Sequence, residues 1–186
     1  MGTKLKDMAS VEAILNEMSL EEKASLVIGG SPMSSMAMEK YGIPSIWTSD
    51  CCNGLNIFQY TVEKTYRALE AAKKEKGEQF DRESFGTMGG LLVTVNEIQK
   101  KAKEEAAAGI ERKKTHDVIS YPTGISQAST WNPQVSNICA KTVAKEFVKY
   151  GVDLILSPNI NIHRDPLCGR LTESYSEDPY LVSRIA

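Results

Sequence analysis

Apolar positions near the start of the chain fall in short groups closed by polar punctuation. Ser19-Leu-Glu-Glu22 has the S-x-x-E form of a capping box, in which hydroxyl and carboxylate each satisfy a free backbone N–H at a helix start. Two short helices are predicted, at about Val11–Glu17 and Leu20–Ile28. Gly29-Gly30-Ser31-Pro32 breaks the second, and Gly42-Ile-Pro44 introduces Ser45-Ile-Trp-Thr48, a β-prone run that reads as a strand with Asp50 at its C-terminal end.

From Thr61 to about Lys76 and from about Val95 to Ala108 the chain is rich in Lys, Glu and Ala, with narrow apolar stripes such as Val62, Tyr66 and Leu69. These segments read as exposed helices. Asp81 to Gly90 between them is weakly patterned, so Phe58–Asp117 reads as an elaborated connection: a lid, a contact surface or an insertion. Regular patterning returns at Asn132-Pro133, a helix cap and first turn, with Val135, Ile138, Cys139, Val143, Phe147 and Tyr150 on one face and Gly151 as the stop. Val152-Asp-Leu-Ile-Leu156 is the nearly continuous apolar run expected of a buried parallel strand covered by helices. The layout is α/β with parallel strands. Asp178-Pro179 opens another helix whose pattern runs through Leu181, Val182 and Ile185 to Ala186 without a stop signal, so the chain reads as ending inside an element.

Charge narrows the partners. Against 22 Lys and Arg stand 24 Asp and Glu, a net charge of −2, which leaves no basic field to draw nucleic acid or anionic lipid. Met1 to Glu12 carries Lys4, Lys6 and Asp7 and no apolar run of signal-peptide length, and no other stretch approaches a membrane span; a cytoplasmic protein is expected. The four cysteines, Cys51, Cys52, Cys139 and Cys168, lack C-x-x-C spacing and read as reduced, mostly buried small hydrophobes, with no metal site.

The densest polar constellation follows the second strand: Asn159-Ile-Asn-Ile-His-Arg-Asp-Pro166, then Gly169-Arg170, Glu173 and Ser176-Glu-Asp-Pro-Tyr180. Ligands of α/β proteins bind outside the C-terminal ends of parallel strands, where this cluster and Asp50 both fall, so the two are expected to share one cleft. A carboxylate accepts from two hydroxyls while Arg donates through a rigid fork, a combination suited to a sugar or polyol. A glycosidic bond needs more, namely two carboxyl groups flanking it.

Several blocks together resemble glycoside hydrolase family 3. They are Met18-Ser-Leu-Glu-Glu-Lys23; Gly42-Ile-Pro with Ser49-Asp50 and Gly54-Leu55; Tyr121-Pro-Thr123 with Thr130-Trp131; and Asn161-Ile-His-Arg-Asp-Pro166 with Gly169-Arg170 and Glu173-Ser-Tyr-Ser-Glu-Asp-Pro-Tyr-Leu181. They stand in that family's order. The resemblance implies an incomplete (β/α)8 TIM-type barrel over 1–186, the N-terminal portion of the family's N-terminal domain, with a charged helical insertion at about 58–117. It implies a retaining, exo-acting β-glycosidase, with β-glucosidase first and β-xylosidase next, acting on a β-linked glucoside or related glycoside without metal or organic cofactor. Asp50 and Arg170 match positions that hold the terminal sugar's hydroxyls. The nucleophilic Asp and the acid/base Glu are expected beyond Ala186, so no catalytic residue is assigned and the chain alone is expected to be inactive. This sequence departs from the family where Cys51-Cys52-Asn53 replaces Gly-Pro-His after the sugar-binding Asp, and where Leu167-Cys168 replaces Arg-Trp.

Plainer readings stand beside these. Asp50 by itself suits a turn or a cap as well as a ligand. His163 reads as hydrogen-bonded to backbone near the strand end, and Arg164 as pairing with Asp165 or Glu173. Glu173 reads as orienting Arg170, Asp178 as a helix cap, and His116 as exposed in a charged linker. Trp47 and Trp131 read as core, with stacking on a sugar the lesser alternative. A different function is a non-catalytic binding or interaction piece that completes its fold with the remainder of its own polypeptide or with a complementing chain. A nucleotide-binding α/β domain is disfavoured, since no P-loop and no G-x-G-x-x-G after a strand is present.

Overall fold

The computed structural model describes residues 2–51, 53–78, 88–109 and 117–186. Cys52, His116 and the weakly patterned 81–87 segment lie outside them. Two compact units emerge, one formed by Met1–Trp47 with Phe58–Thr115, the other by Thr48–Ile57 with His116–Ala186.

The first unit opens with helices α1 (Met8–Glu17) and α2 (Leu20–Ile28). The Ser19 and Glu22 side chains form the expected capping box. A second box, Asp7 with Ser10, starts α1 and escaped the sequence reading because its N3 residue is Ser rather than Glu or Gln. Ile14, Met18 and Tyr41 form the buried cluster, with Leu26, Met38 and Ile43 against it. Helix α3 (Ile57–Glu75) corrects the reading of an exposed helix: Tyr60, Val62, Glu63 and Tyr66 are all buried. Apolar and aromatic residues recur there at helical spacing, enough for one buried stripe under an otherwise charged surface. Trp47 is buried as expected, its ring stacked on Tyr60 at 5.1 Å between centroids. Helix α4 (Met88–Ala107) follows.

The second unit carries strand β1 (Thr48–Asp50), helix α5 (Gly124–Ala128), helix α6 (Pro133–Tyr150), strand β2 (Leu154–Leu156) and helix α7 (Pro179–Ile185). The strands pair in parallel with Thr48 opposite Leu154 and Asp50 opposite Leu156, as the α/β reading requires. Asn132 caps α6 with Pro133 in its first turn, Gly151 ends it in the left-handed conformation, and Asp178 caps α7. Val143 and Phe147 are buried on α6, whereas Ile138 is exposed. Ala128, Leu181 and Ile185 form a further buried cluster. One expectation fails here: β2 is not buried, with Leu154 43% and Leu156 49% exposed. The described sheet has two strands, too few to cover both faces of an apolar run. Trp131 is also exposed rather than core, in a left-handed conformation (φ 52°) just before the α6 cap. Cys51 is buried, but Cys168 is exposed, against the expectation for the cysteines.

Candidate functional site

Parallel pairing puts the C-terminal ends of β1 and β2 side by side, and the chain turns from each into a polar loop. Asp50 closes β1; its carbonyl accepts the N–H of Asn56 at 3.3 Å, so the chain folds back at once after the strand. On the next stretch, Asn53 accepts the N–H of Tyr121 at 2.8 Å and Gly54 (φ 121°) passes against the Ile119 carbonyl. β2 ends in Leu156, after which Asn159 forms a parallel bridge with Ser174. That bridge carries Glu173 and Arg170 to the same strand ends.

A cleft of about 90 Å³ results, lined by Asp50, Leu156, Ser157, Asn159, Arg170, Glu173 and Tyr175 with the backbone of Gly124. Asp50 and Arg170, far apart in sequence, thus share one pocket wall. Arg170 forks onto Glu173: Nη2 donates to Oε2 at 2.6 Å, and Nε lies 3.0 Å from Oε2 and 3.2 Å from Oε1. Asn159 Nδ2 donates to the same Oε2 at 3.1 Å. The Arg170 guanidinium, more than Asn159, holds the Glu173 carboxyl below the usual carboxylate range. Glu173 is thus paired with Arg170 through both carboxylate oxygens.

The other two supporting residues sit differently. His163 is tied down by its own backbone N–H, which donates to the Ser176 carbonyl at 3.0 Å, while its ring Nε2 is buried with no hydrogen-bond partner among the described residues. Arg164 is exposed and pairs with neither Asp165 nor Glu173 among the described residues, because Glu173 is already engaged by Arg170. Asn159 is the site residue that sequence reasoning left without a role. Its position right after an apolar strand, with Asn at both 159 and 161, was the available signal.

A larger cavity of about 490 Å³ adjoins the cleft through Ser157 and Tyr175, with Cys51, Tyr121, Ser136 and Cys139 in its wall. Tyr121 Oη and Ser136 Oγ are buried without partners among the described residues, as is Glu146 Oε2. Burial, reinforced by the Glu146 charge, pushes the Tyr121 phenol up. Neither Asp50 nor Arg170 reaches this cavity, so the convergent charges belong to the smaller cleft. Among the described residues no group of His, Cys, Asp and Glu is arranged to hold a metal ion, and no helix is long and apolar enough to cross a membrane. A carboxylate and an anchored guanidinium around a shallow cleft can grip hydroxyls from two sides. At about 90 Å³ the cleft takes part of a small polar molecule rather than a whole ligand of the usual several hundred Å³.

Comparison with known proteins identifies the family. Residues 92–186 match the model of the glycosyl hydrolase family 3 N terminal domain. The exo-alpha-(1->6)-L-arabinopyranosidase of Bifidobacterium longum is 26% identical over 172 residues, covering 92% of this chain and 17% of the relative. Beta-glucosidase B of Emericella nidulans is 26% identical over 186 residues, 100% of this chain and 16% of the relative. Among solved structures, beta-glucosidase 3B of Thermotoga neapolitana in complex with glucose superposes with a TM-score of 0.58 at 25% identity, over 95% of this chain and 20% of that one. The chain thus spans about a sixth of the length of the curated relatives it matches.

Proposed function

The chain belongs to glycosyl hydrolase family 3, and on that premise we propose that its cleft grips the terminal sugar of a β-linked glycoside, a β-glucoside first, for a retaining, exo-acting hydrolase. In this reading residues 1–186 are the N-terminal portion of a (β/α)8-type domain, with 58–117 as a charged helical insertion. The observation that carries it is the meeting of Asp50 and Arg170 in one pocket at the C-terminal ends of two parallel strands. That is where a barrel presents its ligand. Asp50 accepts from neighbouring hydroxyls, and Arg170, held by Glu173, donates to them.

The reading includes no hydrolysis by these residues alone. A retaining enzyme sets two carboxyl groups about 5–5.5 Å apart across the scissile bond, one of them a nucleophile and the other an acid. Glu173 is committed to Arg170 and Asn159, which keeps it ionised and unfit as the acid. In this reading the reacting pair is supplied from outside these residues. A second reading is a non-catalytic piece that completes its fold with another chain; the exposure of Leu154 and Leu156 favours it.

The test is a titration of the 186-residue chain with glucose, followed by backbone NMR shifts, alongside an assay with a chromogenic aryl β-glucoside. Shifts around Asp50 and Arg170 that disappear in Asp50→Asn and Arg170→Lys are expected, with no turnover. Glucose that perturbs neither loop would sink the sugar-binding reading, and turnover by the chain alone would show that the reacting carboxylates lie within it. Stable heteromeric association without sugar binding would favour the second reading.

A further inference from the structure

Asn159 is held on both sides of its amide. Its Oδ1 accepts the N–H of Asn161 at 3.2 Å, and its Nδ2 donates to Glu173 Oε2 at 3.1 Å. A backbone N–H can only donate and a carboxylate can only accept, so the amide has one orientation that satisfies both neighbours. The bridge between Asn159 and Ser174, next to Glu173, fixes the distance over which that amide reaches.

Glu173 Oε2 is also the oxygen that takes both Nη2 and Nε of Arg170. The Arg170 side chain is 77% exposed, and a long exposed side chain keeps its aim only where an anchor holds it. Resting on the sugar-binding reading above, we propose that Asn159 is a positioning residue: by pinning Glu173 Oε2 it fixes the direction in which Arg170 presents its guanidinium to the sugar. Asn159 stands in the cleft wall, but both ends of its amide are taken by Glu173 and Asn161, so it acts through the carboxylate. Without its donor, Glu173 can rotate about its terminal torsion, and the fork that aims Arg170 loosens.

Asn159→Asp separates this role from the local turn. Aspartate has the same shape and keeps an acceptor for Asn161, but it sets a second carboxylate against Glu173 where a donor stood. Two readouts are taken on the 186-residue chain: glucose affinity by NMR titration, and hydrogen exchange of the Arg170 Nε–H, which needs no ligand. In the variant, glucose binding is expected to weaken by about tenfold, the loss typical of one hydrogen bond to a charged group. The Arg170 Nε–H is expected to exchange faster, with the thermal midpoint unchanged. Asn159→Ala, which removes the donor without adding charge, should move both readouts the same way and serves if the aspartate variant misfolds. An Arg170 Nε–H that exchanges as slowly in the variants as in the parent overturns the proposal. Glucose that fails to bind the parent overturns the sugar-binding reading instead, and the exchange rate still decides the role of Asn159.

Discussion

Arg170 and Glu173 meet across a single 3-10 turn, with Nη2 2.6 Å from Oε2 and Nε within 3.2 Å of both carboxylate oxygens. A planar fork on a carboxylate fixes the guanidinium plane as well as its charge, which an ammonium cannot do. Arg170→Lys should therefore keep the fold and the charge yet weaken glucose binding by about tenfold or more. Isothermal titration of parent and variant checks this; equal affinities would mean that Arg170 contributes charge alone.

The helix ends were legible in the sequence because their signals are local, whereas Asp50 and Arg170 are brought together only by the parallel pairing of their strands. Asn132, Gly151 and Asp178 mark helix ends by residue type, and each does so in the structure. The parallel pairing followed from an apolar run directly after a helix. Burial was less legible: Val62 and Tyr66 sit among Lys and Glu, yet α3 buries them, because one stripe suffices for a helix to pack. Leu154 and Leu156 fail in the opposite sense, since a strand's composition cannot reveal whether anything covers it. Asn159 stood out only as part of a polar run after a strand; its contact with Glu173 arises once the bridge to Ser174 brings that residue alongside.

Glu22 gathers the Ser19 N–H at 3.0 Å, the Tyr41 hydroxyl at 2.8 Å and the Lys40 ammonium at 2.8 Å. Lys40 first, then Ser19 and Tyr41, hold its carboxyl down at about 2, below an ordinary value of 4.5. A depressed folded-state pKa stabilises above the unfolded value and is lost as pH falls through the folded one. The contribution of Glu22 should be complete above about pH 4.5 and fade toward about pH 2. Thermal midpoints of parent and Glu22→Gln should differ at pH 7 and converge only as pH falls through about 2. A gap that persists unchanged through that range would assign the effect to shape rather than charge.

Glu63 is fully buried, yet it is satisfied on every side: Ser31 Oγ lies 2.7 Å from both oxygens, the Met33 N–H donates at 3.2 Å and Arg67 Nε at 2.8 Å. It ties the Gly29–Met33 loop to α3. Replacement by Leu removes the acceptor that Ser31, the Met33 N–H and Arg67 share, while half-exposed Arg67 can turn to water. Glu63→Leu should cost about 2–3 kcal/mol, and Glu63→Gln, which keeps an acceptor, distinctly less. Urea midpoints at constant slope measure both; a neutral Leu variant would show that the loop has another anchor.

Gly54 links stability to the site through backbone alone. Its φ of 121° is one that side-chain-bearing residues rarely adopt, and an added Cβ would stand 2.4 Å from the Ile119 carbonyl oxygen. Neither partner can yield cheaply, because both atoms belong to backbone paired through the Tyr121 N–H to the Asn53 carbonyl. Relief requires the 119–121 segment or the loop leaving Asp50 to move. Gly54→Ala should therefore destabilise by at least about 2 kcal/mol and also weaken glucose binding, although residue 54 lies outside the wall of the cleft. The two effects need separate measurement, by urea unfolding and by glucose titration well below the unfolding midpoint. A destabilised variant that binds glucose like the parent would show that strain at Gly54 is absorbed by the 119–121 segment and never reaches Asp50.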